Sequence, residues 1–403
     1  MTYVALTRFN PDPEMDENNQ RLVAELGRYK RIKDLRRSTV FRQRQSTLHQ
    51  LFNEPRTYFE QSARPRLNSF LRVAAWNIEC GKRLDGIIEA LNTHPLLRFA
   101  DLILLSEVDS GMARSANLPV AFELGREIGA HAIYGVEYLE LSGPALVDSM
   151  HHGNTTALHG NAILTRHPFR SPRLVRLPRC ENNFESPQKR LGGRLGLVID
   201  LEVGPAGLVA ATTHLDVVNT PRCRQRQLRA FLRHLDTARH VPAILGGDFN
   251  THTFSRGTKT RALRNLFRLL SNPDRVAGSL LSPNRFEPAL RDLESYEFCL
   301  ERFNDDRSTC RVDDAELLQS SGLPGPLKGL VRRRFGRQPR SLDFRLDWLA
   351  GRHLKPLDDG EVVDAATGVR SISAQTIVGL EYGGCPISDH DPIVADICAS
   401  PLP

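Results

Sequence analysis

A chain of 403 residues, 40% apolar and 25% charged, is too hydrophobic to be disordered and too mixed to be fibrous, and its length suits one large α/β domain with additions. No apolar stretch approaches the roughly 18 residues that signal a membrane span, and the opening MTYVALTRFNPDPEMDENNQ lacks the basic-then-apolar layout of a secretory signal, so a cytoplasmic address is expected. The formal charge of +7 favours polyanionic partners such as nucleic acids, phosphorylated metabolites or acidic lipid surfaces.

Residues 1–68 show helix-period apolar positions amid many Arg and Lys and no strand pattern, and read as a basic N-terminal helical arm. From FLRVAAW (70–76) the text alternates between short β runs and helices. DLILLSE (101–107) precedes a helix near 119–129, and AIYGVEYLEL (132–141), NAILTR (161–166), RLGLVIDLEV (194–203) and GLVAATTHL (207–215) follow. A helix near 221–236 leads to PAILGGDF (242–249). This is mixed α/β architecture. Residues 251–340 read as a helix- and loop-rich insertion without a convincing strand, ending in the basic VRRRFGRQPR (331–340). Strand text resumes at LDFRLDWLAG (342–351) and closes with ISDHDPIVADIC (387–398), giving a domain over 69–401. The seven cysteines, 80, 180, 223, 299, 310, 385 and 398, are odd in number and never spaced C-x-x-C. They read as reduced thiols, with neither a disulfide framework nor a zinc site.

Five segments place an acid, amide or imidazole beside an apolar strand: AAWNIE, LLSEVD, ATTHLD, ILGGDFN and ISDHDP. Strand ends are where α/β sheets collect their sites. In GGDFN, Asp248 and Asn250 are two apart and project to one face of an extended chain, while Phe249 turns to the core. The donor inventory is oxygen-rich, with carboxylates at Glu107, Asp248, Asp347 and Asp389 and amides at Asn77 and Asn250. Hard oxygen donors in small number suit Mg²⁺ or Mn²⁺. His214 and His390 then read as phosphate-facing or proton-handling groups.

The ordered set Asn77, Glu107, GNAILTR (160–166), His214, GDFN, Asp347 and Asp389–His390 resembles the endonuclease/exonuclease/phosphatase superfamily of DNase I-like phosphoesterases. The resemblance implies a four-layer α/β sandwich, two packed mixed sheets flanked by helices, and metal-dependent in-line attack of water on a phosphorus ester. It makes Glu107 the principal metal ligand with Asn77 beside it. Asp248 orients or deprotonates the attacking water and Asn250 positions it. His390 contacts the scissile phosphate with Asp347 fixing its tautomer, Asp389 joins a metal site or orients water, and His214 donates to a phosphate oxygen.

Ser106 stands where a Gln often precedes the metal-binding Glu. Asp343, four residues before Asp347, is a rival partner for His390. Arg114, His159 and Asn161 lie where they would face the same mouth and meet substrate. The expected reaction is phosphodiester hydrolysis, with DNA or RNA among the candidate substrates. A phosphomonoesterase, a lipid-headgroup diesterase, and a binding module that uses its phosphate site for recognition remain open alternatives.

Overall fold

The computed structural model describes residues 13–142, 153–254, 259–313 and 341–398, together with Gly325 and Gly329; the basic stretch at 331–340 lies outside them. Four helices lead the chain, α1 (Pro13–Gly27), α2 (Ile32–Arg37), α3 (Thr39–Gln43) and α4 (Gln45–Asn53), followed by β1 (Arg56–Tyr58). Next come β2 (Leu71–Cys80), α5 (Leu84–Thr93), β3 (Leu102–Ser110), α6 (Val120–Ile128), β4 (His131–Glu140), β5 (Leu158–Thr165), β6 (Phe169–Arg176), β7 (Arg190–Gly192), β8 (Leu195–Leu201) and β9 (Leu208–Thr213). Then follow α7 (Pro221–Leu235), β10 (Ala243–Asp248), α8 (Lys259–Ser271), α9 (Pro273–Leu281), α10 (Pro288–Ser295), β11 (Cys310–Asp313), β12 (Ser341–Phe344) and β13 (Asp347–Arg352). The short strands β14 (Gln375–Thr376), β15 (Glu381–Tyr382) and β16 (Cys385–Pro386) precede β17 (Ile393–Ile397).

One sheet runs β1-β4-β5-β3-β2-β17-β14, with β7 also on β4, and the other runs β13-β10-β9-β8-β6. Each mixes strand directions: β2 pairs β3 in parallel and β9 pairs β10 in parallel, while their other pairings are antiparallel. Alternation along β2 explains the layering. Val73 and Ala75 join Leu195, Leu197, Ile199 and Ile244 between the sheets, whereas Ala74, Trp76 and Ile78 pack outward with Ile87, Leu91 and Leu124 of α5 and α6. On the far side Leu228, Phe231 and Leu232 of α7 and Leu290 and Leu293 of α10 cover the second sheet. Four layers result, helices, sheet, sheet and helices. The sheets meet closely at Gly246, where a Cβ would sit 2.8 Å from both Leu104 and Leu349. Its neighbour Gly247 (φ +136°) would drive a Cβ to 2.2 Å from the Thr213 carbonyl oxygen.

Four sequence expectations need correction. Helices fill 13–53, as expected, but the segment does not stand apart as an arm: Leu22, Leu26, Leu35, Leu48 and Leu51 lie in the core over the first sheet, and β1 extends that sheet along β4. The apolar residues of the helices, masked in the text by arginines, carry the packing. The 251–340 stretch contains a strand, β11, which pairs antiparallel with β12. LDFRLDWLAG is two strands rather than one, broken at Arg345 and Leu346, so that β12 joins the insertion while β13 joins the main sheet. Cys180 and Cys223 form a disulfide across 43 residues, against the reading of seven reduced thiols; Cys80, Cys299, Cys310, Cys385 and Cys398 are free. A wide, motif-free spacing leaves no trace of such a pairing in sequence.

Candidate active site

The antiparallel register of β10 and β13 sets Asp248 directly opposite Asp347. From the other sheet, Asn77 at the end of β2 donates from Nδ2 to Asp248 Oδ2 at 3.1 Å, so the amide joins the two sheets. Asp248 Oδ1 accepts the Asn250 backbone N–H at 2.8 Å, and Asn250 Nδ2 donates to the Leu215 carbonyl at 2.9 Å. His214, just beyond β9, brings Nε2 to 3.4 Å from Asp248 Oδ2. Asn250 (φ +51°) and Glu107 (φ +53°) both adopt left-handed backbone, a conformation concentrated at functional sites in non-glycine residues. At Glu107 it accompanies a shift of register between β3 and β5, which turns this side chain away from simple strand alternation.

His390 Nδ1 pairs with Asp347 Oδ2 at 2.6 Å. Asp343, the sequence rival, instead accepts from Arg311 at 2.9 Å near the surface. The loop carrying His390 is held on three sides. Ser388 Oγ donates to the Asn77 carbonyl at 2.7 Å and accepts the His390 N–H at 3.1 Å, while Trp76 Nε1 donates to the His390 carbonyl at 2.9 Å. Asp389 stays open to solvent beside this loop.

Burial drives the Glu107 carboxyl upward, but His159, His390 and Arg194 outweigh it and hold the group below the usual carboxylate range. Burial and the facing Asp347 push Asp248 the other way, up to about 7. Burial would neutralise His390, yet its anionic surroundings, Asp347 and Asp389 among them, raise it well above the ordinary imidazole value. His214, buried and close to Arg194, is held well below that value and stays neutral.

The candidate substrate residues sit deeper than their sequence context implies. Arg114 donates from Nε and Nη2 to Asp109 at 2.6 and 2.8 Å, and His159 Nδ1 lies 2.8 Å from the same carboxylate. Asn161 donates to Glu137 at 3.1 Å, and its Oδ1 is buried without a hydrogen bond. Ser106, and two residues that sequence did not single out, also contribute. Ser106 Oγ accepts the Asp248 N–H at 3.3 Å, so the residue in place of the commoner Gln supports the site from behind. Buried Arg194 bridges Glu137 at 2.7 Å and Asp216 at 3.4 Å. Ser388 is legible in hindsight as the small hydroxyl two residues before His390, whereas Arg194 carries no local signal.

The donor set fits a hard divalent cation. Glu107, partly buried, is kept ionised; the Asn77 amide hydrogen-bonds it and the Cys80 thiol lies at 3.6 Å, and neither neutralises it. Asp389 adds a second carboxylate, 3.5 Å from Ser388 Oγ. Asp248, Asp347 and His390 also converge within 4.8 Å, but they are already paired with protein groups. The same holds for Cys80, Asp109 and His159, where Arg114 occupies the carboxylate.

The profile of the Endonuclease/Exonuclease/phosphatase family matches residues 74–390, from β2 through His390. The chain belongs to that family. Its members hydrolyse phosphoester bonds and are generally dependent on divalent metal. No curated protein matches. Among solved structures, the catalytic domain of human Nocturnin with bound sulfate is 16% identical with a TM-score of 0.42, over 85% of this chain and 96% of that one. TDP2 of D. rerio with single-strand DNA product is 15% identical with a TM-score of 0.42, over 82% and 99%. An endonuclease/exonuclease/phosphatase family protein from Leptotrichia buccalis is 12% identical with a TM-score of 0.45, over 81% and 98%. No helix among the described residues is long and apolar enough to cross a membrane.

Proposed function

We propose that this protein is a Mg²⁺-dependent phosphodiesterase that cuts nucleic acid, the polyanion its charge of +7 favours. The observation that carries the reading is the Asp347–His390 pair at 2.6 Å, set opposite an Asp248 carboxylate that is raised to about 7 and held by Asn77 and Asn250. Glu107, with Asn77 and Asp389, would hold the cation, which supplies charge neutralisation at the phosphoryl oxygens.

The chain's own groups do the rest. Asp248 orients the attacking water and takes its proton, and an apparent pKa near neutrality suits a group that must do so close to physiological pH. Asn250 fixes Asp248 through the backbone bond to Oδ1. Asp347 accepts the Nδ1–H of His390, which leaves Nε2–H free to donate to a nonbridging oxygen as charge builds there. The raised pKa keeps that imidazole cationic through neutral pH. Neutral His214 adds a donor beside Asp248.

The direct test is turnover of bis-p-nitrophenyl phosphate and p-nitrophenyl phosphate by the full chain, with Mg²⁺ and with EDTA. The diester is expected to turn over with Mg²⁺ and to stop with EDTA or in Glu107→Ala. Preference for the monoester would replace this reading with a phosphomonoesterase. Inactivity with every divalent cation would leave only phosphate recognition.

A further inference from the structure

We propose that Thr309, carried by the insertion after β10, is a positioning residue for the Asp347–His390 pair; this rests on the catalytic reading of that pair. The two members are 43 residues apart in the chain, on the lead-in to β13 and the loop before β17, so something must fix them relative to each other. Thr309 is fully buried and touches both sides. Its Oγ1 accepts the backbone N–H of Leu346 at 3.0 Å and of Asp347 itself at 3.1 Å. Its carbonyl accepts the N–H of Asp391, the residue after His390, at 2.7 Å, and its own N–H donates to the Phe344 carbonyl at 2.8 Å. One residue thus ties the backbone of the acid to the backbone next to the imidazole.

The chemistry selects a hydroxyl at this position. Two N–H groups converge on one oxygen, and a hydroxyl offers two lone pairs where a methyl offers none. The surrounding backbone is already committed: Cys310 pairs with His390 in an isolated antiparallel β-bridge, and the Leu346 carbonyl accepts the Phe249 N–H at 2.9 Å. With the acceptor gone, two buried N–H groups lose their partner, and the lead-in to Asp347 relaxes away from His390. The insertion is therefore built into the catalytic pair, since β11 begins at Cys310 and β12 closes on it at Phe344.

The test compares Thr309→Val, which keeps the shape and removes the acceptor, with Thr309→Ser, which keeps the acceptor, in the full chain with Mg²⁺. Thr309→Val is expected to lower kcat on bis-p-nitrophenyl phosphate about 100-fold with KM little changed. It should also shift or abolish the downfield proton resonance of His390 Nδ1–H, identified by its loss in His390→Ala. Thr309→Ser is expected to restore both. A folded Thr309→Val protein with wild-type kcat and an unmoved resonance would overturn the proposal, as would lost stability with an unmoved resonance. Should Thr309→Val fail to fold, Thr309→Ala is read by the same measures. If His390→Ala keeps its kcat, the catalytic reading fails, while a moved resonance in Thr309→Val still upholds the tie.

Discussion

Glu107 on the first sheet, partly buried, and Asp248 on the second, almost wholly buried, both lie near His390, yet their surroundings push them in opposite directions. Around Glu107 stand His159, His390 and Arg194, which keep the carboxylate charged against its burial. Opposite Asp248 stands another acid, Asp347, which adds to burial and lifts the group to about 7. Burial alone therefore does not decide the state of a carboxyl; the sign of its neighbours does. One sheet presents a permanent anion of the kind a cation needs, and the other presents a group that can exchange a proton near neutral pH.

Removing each charge in turn separates the two acids. Asp248→Asn should lower kcat on the diester by about 10²–10⁴-fold, the range typical of proton-transfer groups, and Glu107→Gln should lower it at least as far by weakening the cation site, both measured at saturating Mg²⁺. Their effects on folding should then diverge. In EDTA-treated protein, the depressed pKa of Glu107 gives stability that is present above its unfolded value near 4.3 and lost as pH falls, so Glu107→Gln should lower Tm at neutral pH. The raised pKa of Asp248 gives stability that is present below about 3.9 and lost as pH rises through about 7, so Asp248→Asn should raise Tm at pH 8 relative to wild type. Thermal melts from pH 4 to 8 that move both variants the same way would refute the contrast.

The sheets also differ in how they are secured. Arg72 of β2 and Asp396 of β17 form a bidentate pair at 2.7 Å within the first sheet, both almost wholly buried, and Asp396 also accepts the Ile372 N–H at 2.9 Å. Removing one partner strands the other charge. Arg72→Met should cost about 3–5 kcal/mol in urea unfolding, and Arg72→Met with Asp396→Leu should recover much of that. A single variant costing no more than an exposed ion pair would show that water reaches this pair.

Much of this molecule was legible before its structure. Asp248 and Asn250 stood out because the two-residue spacing and two glycines of GGDFN mark a strand exit, and Asp347 and His390 because their residue types fit a phosphate site. The strands with strong β text, such as those leading to Ser106 and Gly247, lie where expected. What failed to show depends on distance along the chain. The leucines of α1 and α4 were hidden by the arginines beside them, and only the folded chain reveals which face is inward. β11 is four residues long and pairs with β12, which begins 28 residues after it ends, at Ser341. Thr309 is an ordinary threonine until Asp347 and Asp391 converge on it, and Arg194 is one arginine of many until Glu137 and Asp216 flank it.

At the outer layer of the second sheet a buried pair of the same kind, Arg224 of α7 with Glu287 at 2.5 and 3.2 Å, is accompanied by a covalent tie. Cys223 sits in the first turn of α7, whose N-terminus is capped by Thr220, and its disulfide to Cys180 holds the 177–186 loop against that helix. The same helix supplies Gln227, which donates to both Asp216 Oδ2 at 2.9 Å and the Pro178 carbonyl at 3.1 Å, so the loop, the helix and the acid behind Arg194 form one unit. Constraining an unfolded loop of this length is worth about 2–4 kcal/mol, less than the buried ion pair. Cys223→Ser should therefore lower the urea midpoint by less than Arg72→Met does, and dithiothreitol should lower the wild-type midpoint equally. Thiol titration of the denatured, unreduced protein should find five reactive groups, matching the five free cysteines. Seven would show that the loop is held by hydrogen bonds alone, and the second sheet would then depend on Gln227 and Asp216 for what the disulfide is expected to provide.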